Sequence, residues 1–172
     1  PLTLGANVTG TIAEPGEQHL YTFTGAPGQR LLYDAQDADF DQIYASLKAP
    51  SGSPVSGLNS NSDYDVGPFT LTEAGTYTLT IDGYVATTGD YAFRLLDVNA
   101  LPPLPLDTVL NGTLDPGYSI TAYRLDGTPG QELFFDGLGA NAGATWYLYD
   151  PNNQSVGGAG IGGRGLIAGD QR

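Results

Sequence analysis

Apolar and polar residues alternate with a period of two along several short segments of this chain. In "GTYTLTIDG" (75–83), Tyr77, Leu79 and Ile81 share one face and Thr76, Thr78 and Thr80 the other. "GDYAFRL" (89–95) places Tyr91, Phe93 and Leu95 on one face, and "HLYTFT" (19–24) does the same with Tyr21 and Phe23. Successive side chains of a strand point to opposite sides, so this alternation predicts half-buried antiparallel strands. Gly, Pro, Asn and Asp punctuate the runs, as turns between strands require. Long helical patterns are missing. Many short strands at close spacing predict an all-β sandwich or barrel.

The pattern occurs more than once. "GTIAEPGEQHLYTFTGAPGQRLLYD" (10–34) matches "GTLDPGYSITAYRLDGTPGQELFFD" (112–136), with Tyr21 answering Tyr123, Gly25 answering Gly127 and "PGQ" at 27–29 answering "PGQ" at 129–131. Farther on, "YASLKAPSG" (44–52) answers "TWYLYDPNN" (145–153), with Pro50 matched to Pro151. In both "PGQ" segments proline followed by glycine fits the centre of a type II turn. The repeat predicts a complete β-sandwich over 1–100, a stiff Pro-rich linker at 101–107 ("LPPLPLD"), and a second, incomplete sandwich over 108–172.

The incompleteness is specific. No second copy of "GTYTLTIDG" or "GDYAFRL" occurs in the 172 residues. A sandwich lacking two core strands exposes apolar faces and unpaired edges. Three explanations stay open: a longer protein cut in mid-domain; strands donated by another chain, which makes a head-to-tail filament subunit; or a swapped dimer or a largely disordered second copy.

Charge narrows the partners. Nineteen acidic residues against six basic ones give a net charge of −13, with aspartate outnumbering glutamate 15 to 4. Such a surface repels phosphate backbones and anionic lipid, which disfavours nucleic-acid and membrane-surface roles, and it suits cations or high salt. No apolar run approaches the roughly 20 residues of a membrane-spanning helix. Without a basic then apolar leader at Pro1, the chain reads as mature or excised. There is no cysteine, hence no disulfide.

The residues "GTI" (10–12), "YTFTGAPGQRL" (21–31), "AGTYTLTIDG" (74–83) and "GDYAFRL" (89–95) together resemble the bacterial pre-peptidase C-terminal domain family. The resemblance covers 5–97 fully and 107–150 in part. It implies tandem antiparallel β-sandwiches of jelly-roll-like form, secretion or display at the cell surface, absence of catalysis, and binding of calcium or of an extracellular polymer such as collagen.

"DAQDADFD" carries Asp34, Asp37, Asp39 and Asp41 between two strands. Crowded carboxylates repel one another, and calcium accepts such oxygens in loop geometry. These four are the candidate metal ligands, although Gln42 and Lys48 break an EF-hand reading of 37–48. The corresponding segment of the second copy keeps only Asp136. "EPGEQH" gathers Glu14, Glu17 and His19, which the second copy replaces with "DPGYSI"; a turn with an exposed histidine is the expectation. "GAGIGG" (158–163) satisfies G-x-G-x-x-G without the helix or the acidic residue a nucleotide site needs, and is expected to be a loop. Of the eleven tyrosines, Tyr21, Tyr77, Tyr91 and Tyr123 are assigned to the core, and Tyr44, Tyr64, Tyr84 and Tyr118 to strand ends and turns. Sequons at Asn7, Asn111 and Asn153 matter only in a eukaryotic secretory route.

The sequence therefore points to a non-catalytic extracellular structural or adhesive module. Its partners would be copies of itself, other modules of the same protein, or an extracellular polymer. The alternative is an auxiliary substrate-binding domain of a secreted hydrolase.

Overall fold

The computed structural model describes residues 1–115, 119–138 and 143–161, and the backbone of 164–167. The chain divides into two compact units, Pro1–Arg124 and Leu125–Arg172.

The first unit has eight strands: β1 (Val8–Ile12), β2 (Gln18–Gly25), β3 (Arg30–Ala35), β4 (Ile43–Lys48), β5 (Pro54–Asn61), β6 (Val66–Thr70), β7 (Gly75–Gly83) and β8 (Gly89–Asp97). They form two four-stranded sheets in the orders β1-β8-β3-β6 and β2-β7-β4-β5, antiparallel throughout. Eight strands in this arrangement make a jelly-roll sandwich. The all-β expectation holds.

Alternation explains which side chains fill the sandwich. Tyr77, Leu79 and Ile81 of β7 and Tyr91, Phe93 and Leu95 of β8 are fully buried. They meet Leu31 and Tyr33 of β3, Ile43, Ala45 and Leu47 of β4, and Phe69 of β6. The rings of Tyr33 and Phe93 stack at 5.2 Å and those of Phe23 and Tyr77 at 5.5 Å. Such aromatic pairs add about 0.5–1.5 kcal/mol to their area burial. The last two strands in sequence occupy the middle of the two sheets: β7 separates β2 from β4, and β8 separates β1 from β3.

Residues beyond β8 continue in the first unit. A short 3-10 turn, Val98–Ala100, leads into the proline-rich segment. Pro103 bridges Arg124 in parallel, Leu104 N–H donates to Arg124 O at 2.7 Å, and Arg124 N–H donates to Pro102 O at 2.8 Å. The compact units thus divide at a different place from the sequence repeat.

The second unit has four strands: β9 (Leu133–Asp136), β10 (Thr145–Tyr149), β11 (Ser155–Gly160) and β12 (Arg164–Ile167). β9 pairs with β12 and β10 with β11, both antiparallel. These are the pairings that β3 makes with β6 and β4 with β5 in the first unit. The turns repeat as well. Gly28 and Gly130 hold φ of 82° and 79° after their prolines. Gln29 and Gln131 each close the turn with the side-chain Oε1, accepting from Ala26 N–H (3.2 Å) and Thr128 N–H (3.1 Å). In the hairpin between β4 and β5, Ala49 N–H donates to Ser53 O and Gly52 N–H to Ala49 O, both at 2.8 Å. Asp150 N–H to Gln154 O (2.9 Å) and Asn153 N–H to Asp150 O (3.0 Å) reproduce them. Two similar sequences make two similar hairpins.

Candidate functional site

Of the four aspartates singled out above, Asp34 lies in β3 and Asp37, Asp39 and Asp41 in the loop from β3 to β4, and the fold gives them different tasks. Asp34 is wholly buried. Its Oδ2 accepts from Arg94 Nε (2.7 Å), from Arg94 Nη2 and from Gln36 Nε2 (2.9 Å), while Oδ1 accepts from Ile120 N–H (2.9 Å). This carboxylate is bound into the protein. Asp37 Oδ1 accepts from Ala38 N–H (2.7 Å) and Asp39 N–H (3.3 Å), and Asp41 Oδ1 accepts from Ile43 N–H (3.1 Å). Burial, reinforced by Asp37, Asp39 and Asp90, raises the Asp41 carboxyl above its usual range.

A residue the sequence reading passed over joins them. Asp63, in the turn between β5 and β6, is 5% exposed, and neither of its carboxylate oxygens has a hydrogen-bond partner among the described residues. Burial, then the charges of Asp41, Asp37 and Asp39, push it up to about 6. Its neighbour Asp65 accepts from Ala35 N–H (2.9 Å) and is likewise pushed up to about 6, chiefly by burial and then by Asp34. No three acidic or histidine side chains among the described residues stand close enough together to hold a metal ion. The oxygen chemistry of Asp37, Asp39, Asp41 and Asp63 suits calcium, but Asp34 faces Arg94 instead.

Exposed rings border this end. Phe40 and Tyr64 pair at 5.8 Å, as do Tyr44 and Tyr84. Phe40, Tyr64 and Tyr84 are each more than half exposed, and Val85 is 79% exposed. Phe40 and Val85 hold positive φ, 50° and 60°. For non-glycine residues such conformations cost of order 1–3 kcal/mol. The turn assignments of Tyr44, Tyr64 and Tyr84 hold; Tyr118 lies outside the described residues.

His19 departs from expectation. It stands on the inward-leaning face of β2 with Tyr21 and Phe23, and is half-buried. Its Nδ1 meets Tyr91 Oη at 2.5 Å, its Nε2 meets Glu17 Oε1 at 2.9 Å, and Tyr91 Oη also meets Tyr21 Oη at 2.5 Å. The bond to His19 and the N–H groups of Ala13 and Glu14 hold the Glu17 carboxyl below its usual range. Burial and the bond with Tyr21 push the Tyr91 phenol up. The network ties β2 to β8 across the two sheets.

In the second unit the open edges stand out. The second edges of β9 and β10 pair with no strand among the described residues. Those are the edges that β8 and β7 occupy on β3 and β4. Phe135 of β9 stacks on Trp146 of β10 at 4.4 Å, the beginning of a core between two ribbons. Yet Leu133, Phe135, Trp146 and Leu148 are only partly buried, whereas their counterparts Leu31, Tyr33, Ala45 and Leu47 are buried almost completely. Phe134 and Tyr147 are exposed by 60% and 64%. Tyr123, expected in the core, is 41% exposed. Its counterpart Tyr21 is covered by Tyr91 and Phe93 of β8, and no such strand of the second copy stands among the described residues. Gly158–Gly160 of "GAGIGG" lie in β11 where a loop was expected, and Ile161 lies in the turn after it; Gly158 faces Trp146 O and the Tyr147 ring so closely that a Cβ would come within 2.9 Å. Residues 162 and 163 of that motif lie outside the described residues.

No protein-family model matches the chain, and no curated protein matches it.

Proposed function

We propose that this chain is a non-catalytic structural or adhesive module of a secreted or surface-displayed bacterial protein, associating with its neighbours by completing their sheets. One observation carries the reading: the edges of β9 and β10 that no described strand pairs, flanked by half-covered apolar side chains. Unpaired edges recruit strands, and strand addition between subunits that does not close on itself builds a filament. In this reading a neighbouring subunit supplies the strands. The resemblance to the pre-peptidase C-terminal family agrees with an extracellular, non-enzymatic role. His19 bonds Tyr91 and Glu17 in the network that joins β2 to β8.

Sedimentation velocity and electron microscopy of the chain over a hundredfold concentration range test the proposal. Concentration-dependent assemblies are expected. A monodisperse monomer at the highest concentration sinks it.

The exposed pairs Phe40–Tyr64 and Tyr44–Tyr84 favour a second reading, an auxiliary domain that holds an extracellular polymer for a secreted hydrolase. Calcium would stiffen the acidic end in both readings only by drawing Asp37, Asp39, Asp41 and Asp63 closer together than they stand. Loss of polymer pull-down on changing Tyr64 and Tyr84 to Ala, with the melting temperature unchanged, is the outcome this second reading expects.

A further inference from the structure

Two glycines of the repeat leave room for side chains that pack over them in the first copy. Gly10 of β1 sits under the ring of Tyr91 of β8, and a Cβ there would come within 2.3 Å of the tyrosine oxygen. Gly25, at the end of β2, sits under Leu71 and under Tyr77 of β7, and its Cβ would come within 2.5 Å of Leu71 Cδ1 and 2.8 Å of the Tyr77 ring. Each glycine makes room for the leading tyrosine of one central strand. Their counterparts Gly112 and Gly127 keep the glycine and lack the tyrosine: a Cβ on Gly112 would meet nothing within 4 Å, and one on Gly127 only Gln131 Oε1 at 3.6 Å. A glycine is costly where nothing needs the space.

Other residues agree. Gln29 Nε2 donates to Asp97 Oδ2 at the end of β8 (2.7 Å), and Gln131 stands in the same turn in the second copy. The indole N–H of Trp146, on the strand that answers β4, is buried without an acceptor among the described residues. Buried indole N–H groups ordinarily find one.

The geometry points to a single occupant for the edges of β9 and β10 that are unpaired among the described residues: a strand pair of the β7–β8 kind, supplied by a neighbouring subunit. Its first strand carries the Tyr-x-Leu-x-Ile pattern of Tyr77, Leu79 and Ile81 and lies along β10. Its second carries the Tyr-x-Phe-x-Leu pattern of Tyr91, Phe93 and Leu95 and lies along β9. The segment 75–97 of this chain fills its own first sandwich, so a copy of this chain that donates it must open that sandwich. The inference rests on the proposed strand sharing and names its partner.

A synthetic peptide with the sequence of residues 75–97, titrated into the 172-residue chain, tests it. One peptide per chain is expected to bind, moving the emission of the single tryptophan, Trp146, to shorter wavelength and slowing amide exchange at 133–136 and 145–149 at least tenfold. Gly127→Val is expected to leave the melting of the free chain unchanged and to weaken the peptide at least tenfold. A peptide carrying Tyr77→Ala is expected to recover binding to that variant. No emission change up to 100 μM peptide, protection confined to the first unit, or equal binding by Gly127→Val each overturns the inference. If the peptide binds while the chain alone stays monomeric, the acceptor assignment stands and self-assembly fails. If the chain assembles and the peptide does not compete, the acceptor assignment fails and self-assembly stands.

Discussion

Arg94 grips the buried carboxylate of Asp34 through two guanidinium nitrogens, and the two residues face each other directly in the register of β8 and β3. Arg94 Nη2 also donates to Ile120 O at 3.0 Å while Ile120 N–H caps Asp34, so the pair gathers the segment after the linker onto the first sandwich. Removing one member of a buried pair strands the other charge, at a cost of about 3–5 kcal/mol. Arg94→Met is therefore expected to be strongly destabilising in urea unfolding, and the double change Arg94→Met with Asp34→Leu to recover most of the loss. A double variant no better than the single one contradicts the pairing.

The two raised carboxyls fix the sign of the pH response. Asp63 and Asp65 titrate near 6 in the folded chain, against 3.8 for an ordinary aspartate. The folded state therefore binds protons more tightly than the unfolded one, and their contribution to stability is greatest below about pH 4 and lost as pH rises through 6. The first unit is expected to melt higher at pH 5 than at pH 7.5. Asp63→Asn removes a buried unpaired charge, and should raise the melting temperature at pH 7.5 by roughly 4 °C or more and flatten the profile. Millimolar calcium should raise the wild-type melting temperature at pH 7.5 and leave that of the variant nearly unchanged. A lower melting temperature for Asp63→Asn at neutral pH would refute the electrostatic argument.

Gly10 and Tyr91 give a steric test. The Tyr91 hydroxyl is anchored at 2.5 Å to both His19 and Tyr21, so the ring has little freedom to retreat from a new methyl group. Gly10→Ala is expected to cost about 1–3 kcal/mol, as overpacking does. Gly112→Ala should cost nothing measurable. In a Tyr91→Ala background the Gly10 penalty should vanish, and calorimetric melting of the four proteins reads the coupling.

The matched hairpins test backbone strain alone. Gly52 has φ of 84° with open space where a Cβ would go, and Asn153 holds the same place in the second copy with φ of 65°. Alanine at 52 should cost about 1–2 kcal/mol because the left-handed conformation penalises a Cβ. Asparagine should cost less than half of that, since its side chain tolerates this region. Equal losses in chemical denaturation would contradict the assignment.

The inward faces of β2, β7 and β8 were legible because their alternation is strict. β5 and β6 were not: β5 contributes one fully buried side chain, Leu58, and β6 carries Pro68. Both are edge strands, where a weak pattern and a proline are tolerated. His19 was legible in principle, since it shares the parity of Tyr21 and Phe23, but the acidic turn before it drew the reading toward exposure. The partnership of Asp34 with Arg94 was hidden because the residues lie 60 positions apart and only the sheet order brings them together. Asp63 stands in a short polar stretch whose burial depends on the packing of the surrounding loops, which no local pattern announces. Tyr123 was misplaced because its motif matches Tyr21 while the strands that cover Tyr21 have no second copy.

The placing of β7 and β8 between earlier strands has a consequence for biosynthesis. Among the described strands β1 pairs with β8 and β2 with β7, so β2 finds its partner strand only when residue 83 has left the ribosome and β1 only when residue 97 has. At about 5–20 residues per second that is a wait of several seconds, and long-range closure of this kind folds slowly. A nascent chain held open in this way stays unfolded and pliable until its last strands arrive, and then gains its rigidity at once.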